Sequence, residues 1–489
     1  MRESGAGHEG GPVDQRLTGD LPVASAAAAA DYVGDDDTLV VSGFGSVGDP
    51  KAVPEALAAS DRDLSLTVVS GGSVGPPIEV DLAEAGGLAR RLPFTNKAAT
   101  RDRINAGEIA FHDPHVARMG ERVRTGALVD ADTAVVEAIA VGEDWLVPAT
   151  SIGQTPAYVA AADRLVVELN RAHPLALQRF HDVYRPGLPP DRDPIPLSAP
   201  GERIGDPRVR FDPETLVAVV ETDRRDATYE FRDPTAADEA VAATLRDFLA
   251  AEMERNPALA DRLTLQFGVG SLGNALMSAV ADLDRGDRDL VYFGEVIQDG
   301  LLDLLDAGEL ASASATSLAL SADGQDRLFA DPGRYADDVT LRPASVSNRA
   351  ALVDRFGVVA INSALEVDLS GNVNSTHIDG RRLVGGVGGS GDFNRNALVS
   401  ITALPAAVDD RSRIVPHTPH VDHTEHDVDV IVTDHGVADL RGKGPTERAE
   451  ALVENCAAPV HRESLRDYLD GARERGGHVP FDPGSAFDP

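Results

Sequence analysis

Cysteine and aromatic residues are scarce in this chain of 489 residues, and each shortage excludes something. A single cysteine, Cys456, rules out a disulfide within the chain and any metal cluster built on several thiolates. Aromatic residues make up 4% of the chain against 42% hydrophobic residues, so its core must consist mainly of Val, Leu, Ile and Ala. That composition is typical of α/β proteins, whose sheets are covered by helices.

Positive charge is also in short supply, since 45 basic residues face 80 acidic ones and the formal net charge is -35. Such a field repels phosphate backbones and anionic lipids, so we expect neither nucleic acid nor a membrane as a partner. Lysine occurs only at Lys51, Lys97 and Lys443, and arginine supplies the rest. This pattern resembles proteins of salt-accumulating cells, where salt screens self-repulsion, although an ordinary acidic protein is the alternative.

Long apolar runs are missing as well. The segment from Met1 to Leu21 is polar and glycine-rich, without the apolar stretch of a signal peptide. The alanine run Ala26–Ala30 is too short to cross a bilayer. We therefore expect a cytoplasmic location.

Strand-like and helix-like segments alternate along the chain, which predicts α/β architecture with mainly parallel sheets. A first series begins at Thr38–Ser42, and a second begins at Leu263–Phe267 after a charged stretch near residue 230. Each opening strand runs into a Gly-x-Gly-x-x-Gly turn and then a helix, which indicates two related units. We predict a flexible acidic tail over residues 1–21, an N-terminal domain over 22–230 and a C-terminal domain over 231–489.

The two glycine turns, Gly43–Gly48 and Gly268–Gly273, stand in the strand–turn–helix context of a dinucleotide-binding fingerprint. Two copies in one chain are unusual for such an enzyme, and no convincing acidic strand end follows either. Tight strand-to-helix turns need glycine whatever they bind, so ordinary turns are the favoured interpretation.

A denser glycine run, Gly385–Gly391, has five glycines in seven residues and is followed by Asp392. It lacks the Lys-Ser/Thr ending of a P-loop and the last glycine of a nucleophile elbow. Its backbone N–H groups are suited to binding an anion or oxyanion. A structural turn is the alternative.

Two further features have both a functional and a structural interpretation. Glu295 ends the strand-like Val291-Tyr-Phe-Gly-Glu295, where side chains of open α/β sheets face ligands, but a surface carboxylate is the alternative. The imidazoles from His417 to His426 recur every three residues, yet Pro419 and β-branched neighbours favour an extended loop. We therefore predict no metal site.

Several long motifs, in this order, closely resemble the acetyl-CoA hydrolase/transferase family, and within it the succinyl-CoA:acetate CoA-transferase branch. They are Gly371-Asn-Val-Asn-Ser-Thr-His377, Gly388-Gly-Ser-Gly-Asp-Phe393 and Val421-Asp-His-Thr-Glu-His-Asp-Val428. Supporting segments are Arg103–Gly107, Leu265–Gly270, Phe293–Gly300, Asn362–Asp368 and Thr433–Gly442. The resemblance covers nearly the whole chain after the tail and implies two tandem open α/β domains of the CoA-transferase type.

The resemblance also implies the residues of the active site. The family's catalytic glutamate matches Glu295, and its assisting asparagine matches Asn348. Its oxyanion- and CoA-binding backbone matches Val269 with Gly270, and Gly388 with Gly389. A second acidic residue of the family, a glutamate, is replaced by the shorter Asp434, which puts in doubt any role that needs the longer side chain.

We therefore expect an enzyme that moves CoA between a short-chain acyl-CoA and a carboxylic acid, through an acyl-glutamyl anhydride and a glutamyl-CoA thioester on Glu295. Acetyl-CoA hydrolysis with the same glutamate is the alternative, and a non-catalytic CoA- or nucleotide-binding protein is a third. The resemblance implies no cofactor beyond the CoA thioester substrate, and a homodimer.

Overall fold

The computed structural model describes residues 12–228, 232–268 and 270–481. By internal contacts the chain divides into two compact units, neither of which is continuous in sequence. The first comprises Met1–Glu230, Tyr292–Asp306 and Ala311–Leu352, and the second comprises Phe231–Val291, Ala307–Leu310 and Val353–Pro489. The predicted domain boundary after residue 230 stays a prediction.

A nine-stranded sheet forms the centre of the first unit, and seven of its strands are parallel. In spatial order these seven are Ala110–Phe111, Leu88–Leu92, Leu66–Val69, Thr38–Val41, Thr133–Val141, Arg164–Asn170 and Leu216–Thr222. Two antiparallel strands, Trp145–Pro148 and Val209–Arg210, extend it beside Thr133–Val141. The predicted α/β class with mainly parallel sheets is confirmed.

Both faces of this sheet are buried, as the run of hydrophobic residues in its strands requires. Leu39 and Val41 pack on one face, against the helices Ala26–Ala30 and Ala52–Ala58. Val40 points to the opposite face and joins a second core with the helices Val116–Arg124 and Thr155–Val159. Because successive side chains of a strand alternate between faces, one short strand contributes to two cores.

The remaining elements of the first unit are short. Two pairs of parallel strands, Val296–Ile297 with Ser317–Leu318 and Ser312–Ala315 with Val339–Leu341, lie in its later segments. Its other helical elements are Pro77–Leu82, Ala98–Asn105, Leu175–Phe180, Pro213–Thr215, Asp299–Asp306, Ala322–Ala330, Pro332–Arg334 and Ala344–Ser347. The segment Tyr184–Arg208 contains no helix or strand.

A parallel sheet also organises the second unit. Its strands Arg262–Phe267, Val358–Ser363, Val399–Ala403 and Val430–Thr433 pair in that order, and Gly436–Asp439 adds an antiparallel edge. Small strands form three further sheets: Glu366–Asp368 with Val373–Asn374 and Ile414–Val415, His377–Ile378 with Arg382–Leu383, and Ala407–Val408 with Arg411–Ser412.

Helices cover the second unit's sheet. The longest, Ala236–Arg255, begins at a capping box in which Thr235 and Asp238 satisfy each other's backbone N–H groups. The others are Pro257–Leu259, Ser271–Ala281, Ser390–Asn394, Pro445–Ala451, Leu452–Cys456 and Pro459–Arg475. The strand Asp289–Phe293 and the helix Ala350–Arg355 each run across the division between the units. Among the described residues, no helix is both long and apolar enough to cross a membrane.

A buried lysine lies at the centre of an ionic network in the first unit. The Lys51 ammonium contacts Glu137 Oε1 at 2.6 Å, Asp226 Oδ1 at 2.9 Å and the Asp49 carbonyl at 2.8 Å. Burial by itself would lower the pKa of Lys51, but Asp226 and Glu137 hold it well above its usual value. Ligand atoms of Glu137, Asp226 and His173 also lie within 4.8 Å of one another. The lysine already pairs both carboxylates, so the network contains its own cation.

The helix that follows the first glycine turn, Gly43–Gly48, binds a carboxylate of the chain itself at its N-terminus. Glu168 accepts hydrogen bonds from the backbone N–H groups of Lys51, Ala52 and Val53, which begin the helix Ala52–Ala58. In a dinucleotide-binding fold the helix N-terminus that follows the turn binds the pyrophosphate. Here Glu168 occupies those donors, so the dinucleotide interpretation of this turn is wrong.

Lys51 supports a direct test of the network. Lys51→Met leaves Glu137 and Asp226 buried without their cation, so we expect a loss of about 3–5 kcal/mol in the free energy of unfolding. Denaturant titration at constant salt measures it. Lys97→Met is the matched control, because Lys97 is half-buried with no ion pair among the described residues. Equal midpoints for the two variants would contradict the network's role.

Candidate active site

Glu295 lies on a turn of the first unit that backbone hydrogen bonds define closely. Its carbonyl oxygen accepts hydrogen bonds from the N–H groups of Thr316 at 2.8 Å and Ser317 at 3.2 Å. The next residue, Val296, pairs in register with Ser317 in a short parallel ladder. The backbone position of the glutamate is thus set by a segment about twenty residues further along the chain.

The glycine before Glu295 is required by close packing. A Cβ atom at Gly294 would lie 2.5 Å from the Tyr292 hydroxyl and 2.6 Å from its ring. That hydroxyl donates to the Val296 carbonyl at 3.0 Å and so braces the turn across Glu295. Burial first, and the charge of Glu295 second, raise the pKa of the Tyr292 phenol above its usual value. The phenol therefore keeps its proton and remains a donor.

Asn348 contacts the Glu295 side chain directly. Its Nδ2 donates to Glu295 Oε1 at 2.6 Å. Ser347 Oγ donates to Asn348 Oδ1 at 2.7 Å, which fixes the amide so that its nitrogen faces the carboxylate. Asn348 is fully buried and follows the helix Ala344–Ser347, whereas Glu295 is half-buried. The structure thus brings these two predicted residues together.

This arrangement suits nucleophilic chemistry. A neutral amide donor orients one oxygen of the Glu295 carboxylate, and the half-buried position leaves the side chain partly accessible. Val296, next to Glu295, packs in a small apolar cluster with Phe44, Val116, Ala319 and Ala344. An apolar setting strengthens hydrogen bonds to charge that develops during a reaction.

The dense glycine run belongs to the second unit. Gly388 has a φ of +52°, a conformation that side chains disfavour, and Gly389 precedes the short helix Ser390–Asn394. Ser390 Oγ donates to the Val387 carbonyl at 2.6 Å, so it can accept from His423 Nε2 at 3.0 Å. His423 therefore anchors the glycine run from a buried position. Sequence reasoning missed this link because it joins residues that are far apart in the chain.

Two other predicted residues also belong to the second unit. Asp434 Oδ1 accepts the Ala406 N–H at 2.7 Å, so the aspartate ties down the segment that follows the strand Val399–Ala403. Gly270 has a φ of +151° and precedes the helix Ser271–Ala281. Val269 lies outside the described residues. Its predicted role, like those of the other site residues, stays a prediction.

The histidine-rich segment is a network of polar contacts. His420 Nε2 contacts Asp422 Oδ1 at 3.0 Å, and Asp422 also accepts from Thr376 Oγ1 at 2.9 Å. The rings of His377 and His420 pack with centroids 4.0 Å apart. In the described part of the chain, no set of three potential ligands that includes these imidazoles converges on one point.

Family models match both halves of the chain. The acetyl-CoA hydrolase/transferase N-terminal domain matches residues 21–221, and the C-terminal domain of the same description matches residues 324–469. The chain therefore belongs to the acetyl-CoA hydrolase/transferase family.

Characterised relatives match almost the whole chain. It is 38% identical over 466 residues to a succinyl-CoA:acetate CoA-transferase of Clostridium kluyveri, covering 94% of this chain and 86% of the relative. It is also 38% identical over 465 residues to an acetyl-CoA hydrolase of Eremothecium gossypii, covering 90% and 88%. The protein is thus an enzyme of the CoA-transferase and acetyl-CoA hydrolase class.

Solved structures support the same fold. RipA of Yersinia pestis superposes with a TM-score of 0.71 at 20% identity, covering 92% of this chain and 98% of RipA. A 4-hydroxybutyrate CoA-transferase of Porphyromonas gingivalis gives a TM-score of 0.62 at 20% identity, covering 93% and 98%. At this identity the likeness establishes the architecture alone.

Asn348 supplies a prediction about the site. Asn348→Ala removes the donor to Glu295, so we expect kcat to fall by about 10²- to 10³-fold. Asn348→Asp places a second carboxylate there, which disfavours the doubly ionised state and moves the acidic limb of the kcat/KM profile to higher pH. Ser347→Ala, which only loosens the amide, should cost less. Steady-state kinetics over a pH series measures all three, and unchanged profiles would contradict a contact with the reacting group.

Proposed function

We propose that this enzyme transfers coenzyme A between a short-chain acyl-CoA and a carboxylic acid through covalent intermediates on Glu295. The observation that carries the proposal is the hydrogen bond from Asn348 Nδ2 to Glu295 Oε1 at 2.6 Å on a braced turn. A carboxylate that is oriented and partly accessible is suited to act as a nucleophile.

The first half of the reaction loads CoA onto the enzyme. A Glu295 oxygen attacks the thioester carbonyl, and the C–S bond breaks to give an acyl-glutamyl anhydride and the CoA thiolate. The thiolate then attacks the Glu295 carbonyl carbon. A C–S bond forms, the anhydride C–O bond breaks, and the first carboxylic acid leaves as its carboxylate.

The second half runs the same steps in reverse order. The acceptor carboxylate attacks the glutamyl-CoA thioester, which expels the thiolate and forms a new anhydride. The thiolate attacks the acceptor's acyl carbon, so a new acyl-CoA leaves and the Glu295 carboxylate is restored. Every step exchanges a carboxylate and a thiolate at a carbonyl carbon. The scheme therefore needs no metal and no redox cofactor.

Each step passes through an oxyanion that needs hydrogen-bond donors placed in advance, and losing one such donor costs about 3–4 kcal/mol of transition-state stabilisation. We assign this role to the backbone of Gly388 and Gly389, and to Val269 with Gly270. The support is the family resemblance of these segments together with the anchoring of the glycine run by Ser390 and His423. Asp434 is assigned a positioning role, since its carboxylate holds the Ala406 backbone.

The names of the relatives suggest the acids. The Clostridium kluyveri relative is named for succinyl-CoA and acetate, so we propose acetyl-CoA, succinyl-CoA and their acids as substrates. We also propose that the enzyme acts in the cytoplasm as a homodimer.

Hydrolysis is the second candidate, and the name of the Eremothecium gossypii relative favours it. Water in place of the acceptor acid would release free CoA from the glutamyl thioester and regenerate Glu295. The two activities therefore share the covalent intermediate and differ in what attacks it.

Intact-protein mass spectrometry tests the covalent step. Incubation with acetyl-CoA should give an adduct of CoA mass on the peptide that carries Glu295, because the thioester is an obligatory intermediate. Borohydride reduces the activated glutamyl group to an alcohol, so treatment before quenching should remove the adduct. Glu295→Ala should lose both adduct and turnover while acetyl-CoA binding stays detectable.

Glu214→Ala is the control variant, since Glu214 is an exposed glutamate of the same unit, far along the chain from the turn. It should retain adduct and turnover. Acetyl-CoA consumption with and without succinate separates the two candidates: dependence on succinate supports transfer, whereas release of free CoA without any acceptor supports hydrolysis. Full turnover by Glu295→Ala would refute the role of this glutamate in both.

A further inference from the structure

A basic pocket in the first unit stands out against the acidity of the whole chain. It encloses about 400 Å³, counted with its open mouth. Four arginines, Arg124, Arg185, Arg192 and Arg349, line it, whereas Glu121 is its one acidic lining residue. In a protein with 80 acidic residues against 45 basic ones, this local excess of positive charge is opposite to the overall field.

The arginines of this pocket are poorly compensated by the protein itself. Arg192 pairs with Glu121 at 2.7 Å, and Arg124 donates only to the Pro186 carbonyl, at 3.1 Å. Within the described ranges, neither Arg124, Arg185 nor Arg349 lies within ion-pair distance of a carboxylate.

The cations also act on one another. Burial, followed by repulsion from Arg185 and Arg192, lowers the pKa of Arg124 below its usual value. Burial, followed by repulsion from Arg192, does the same to Arg349. Like charges that are partly withdrawn from water store electrostatic repulsion, and a bound anion would relieve it.

The shape of the donors narrows the class of ligand. A guanidinium group is a planar fork that binds phosphate oxygens with two parallel hydrogen bonds, and several forks around one space favour a multiply charged ligand. The rest of the lining includes Pro156, Ala157, Tyr184 and Pro343, which offer apolar contact to an organic portion.

We propose that this pocket is a binding site for a phosphate-bearing small molecule, held by Arg124, Arg185, Arg192 and Arg349. The phosphate groups come either from the nucleotide end of CoA or from a separate phosphorylated ligand. Ligand binding in this pocket does not depend on whether Glu295 acts as the nucleophile.

The pocket and the glutamate turn share one segment of the chain, which contacts both. Ser345 and Arg349 line the pocket, and between them the chain passes through Asn348, which donates to Glu295. Ser345 of the short helix Ala344–Ser347 thus lines the pocket, and Asn348, directly after the helix, contacts the Glu295 carboxylate. An occupant that contacts Ser345 or Arg349 acts on the element that orients Asn348.

Inorganic diphosphate is the probe for the test, used with the full-length enzyme at constant ionic strength and without divalent cations. Equilibrium dialysis should show saturable binding of one equivalent. The double variant Arg124→Gln with Arg185→Gln should weaken diphosphate binding at least tenfold, because it removes two of the four guanidinium groups. These two arginines are chosen because neither substitution leaves a carboxylate without its partner. The double lysine variant, R124K/R185K, keeps the positive charge but lacks the planar guanidinium group. Its affinity for diphosphate should lie between those of the wild type and the double glutamine variant.

The matched control is Arg246→Gln, since Arg246 is a half-buried arginine of the second unit that pairs with its neighbour Asp247. It should bind diphosphate like the wild type. Circular dichroism and thermal unfolding check that each variant is folded. Absence of saturable binding, or equal affinities for wild type and the double glutamine variant, would overturn the proposal.

A competition arm distinguishes the two sources of phosphate. If CoA displaces diphosphate from the wild-type enzyme, the arginines hold the nucleotide end of CoA, and the double glutamine variant should raise the KM for acetyl-CoA. If CoA and diphosphate bind together, the pocket takes a separate phosphorylated ligand. Binding is measured without turnover, so failure of the Glu295 mechanism would leave this result intact.

Discussion

A buried ammonium, that of Lys51, links the parts of the first unit on which the candidate site depends. It holds the carboxylate of Asp226, whose other oxygen accepts from the Thr150 hydroxyl. The Thr150 carbonyl accepts from the Leu318 N–H, and Leu318 belongs to the two-residue strand whose other member, Ser317, donates to the Glu295 carbonyl. The turn with the candidate nucleophile is therefore connected to the central sheet through a chain of buried hydrogen bonds that begins at one cation.

The identity of that cation follows from its setting. Arginine supplies nearly all the positive charge in this chain, yet lysine occupies the buried position. A compact ammonium directs three donors to three separate acceptors, here Glu137, Asp226 and the Asp49 carbonyl, whereas a planar guanidinium needs more room and a different arrangement. The same contrast explains why a pocket shaped for phosphate is lined by arginines.

The sequence predicted the two members of the site that lie in motifs. Glu295 follows a strand and a glycine, and Asn348 matches a family position, so both could be named without a structure. Tyr292, Thr316 and Ser347, which brace or orient them, were not predicted. Their residue types are common, and their contribution comes from individual hydrogen bonds to Val296, Glu295 and Asn348 that no motif records. The link between Ser390 and His423 was missed although both lie in quoted motifs, because spacing does not show which side chains meet.

The sequence by itself determined the class of fold, the approximate positions of most strands and helices, and the family. Those properties depend on hydrophobic periodicity, on glycine at tight turns and on long motifs, all of which are local. Only the tertiary structure decided that Asp226 accepts from the first glycine turn and Glu168 from the helix start after it, that Asn348 orients Glu295, and that four arginines converge on one pocket. These features depend on charges and dipoles brought within a few ångströms by folding, and their energies depend on burial, which a one-dimensional pattern does not contain.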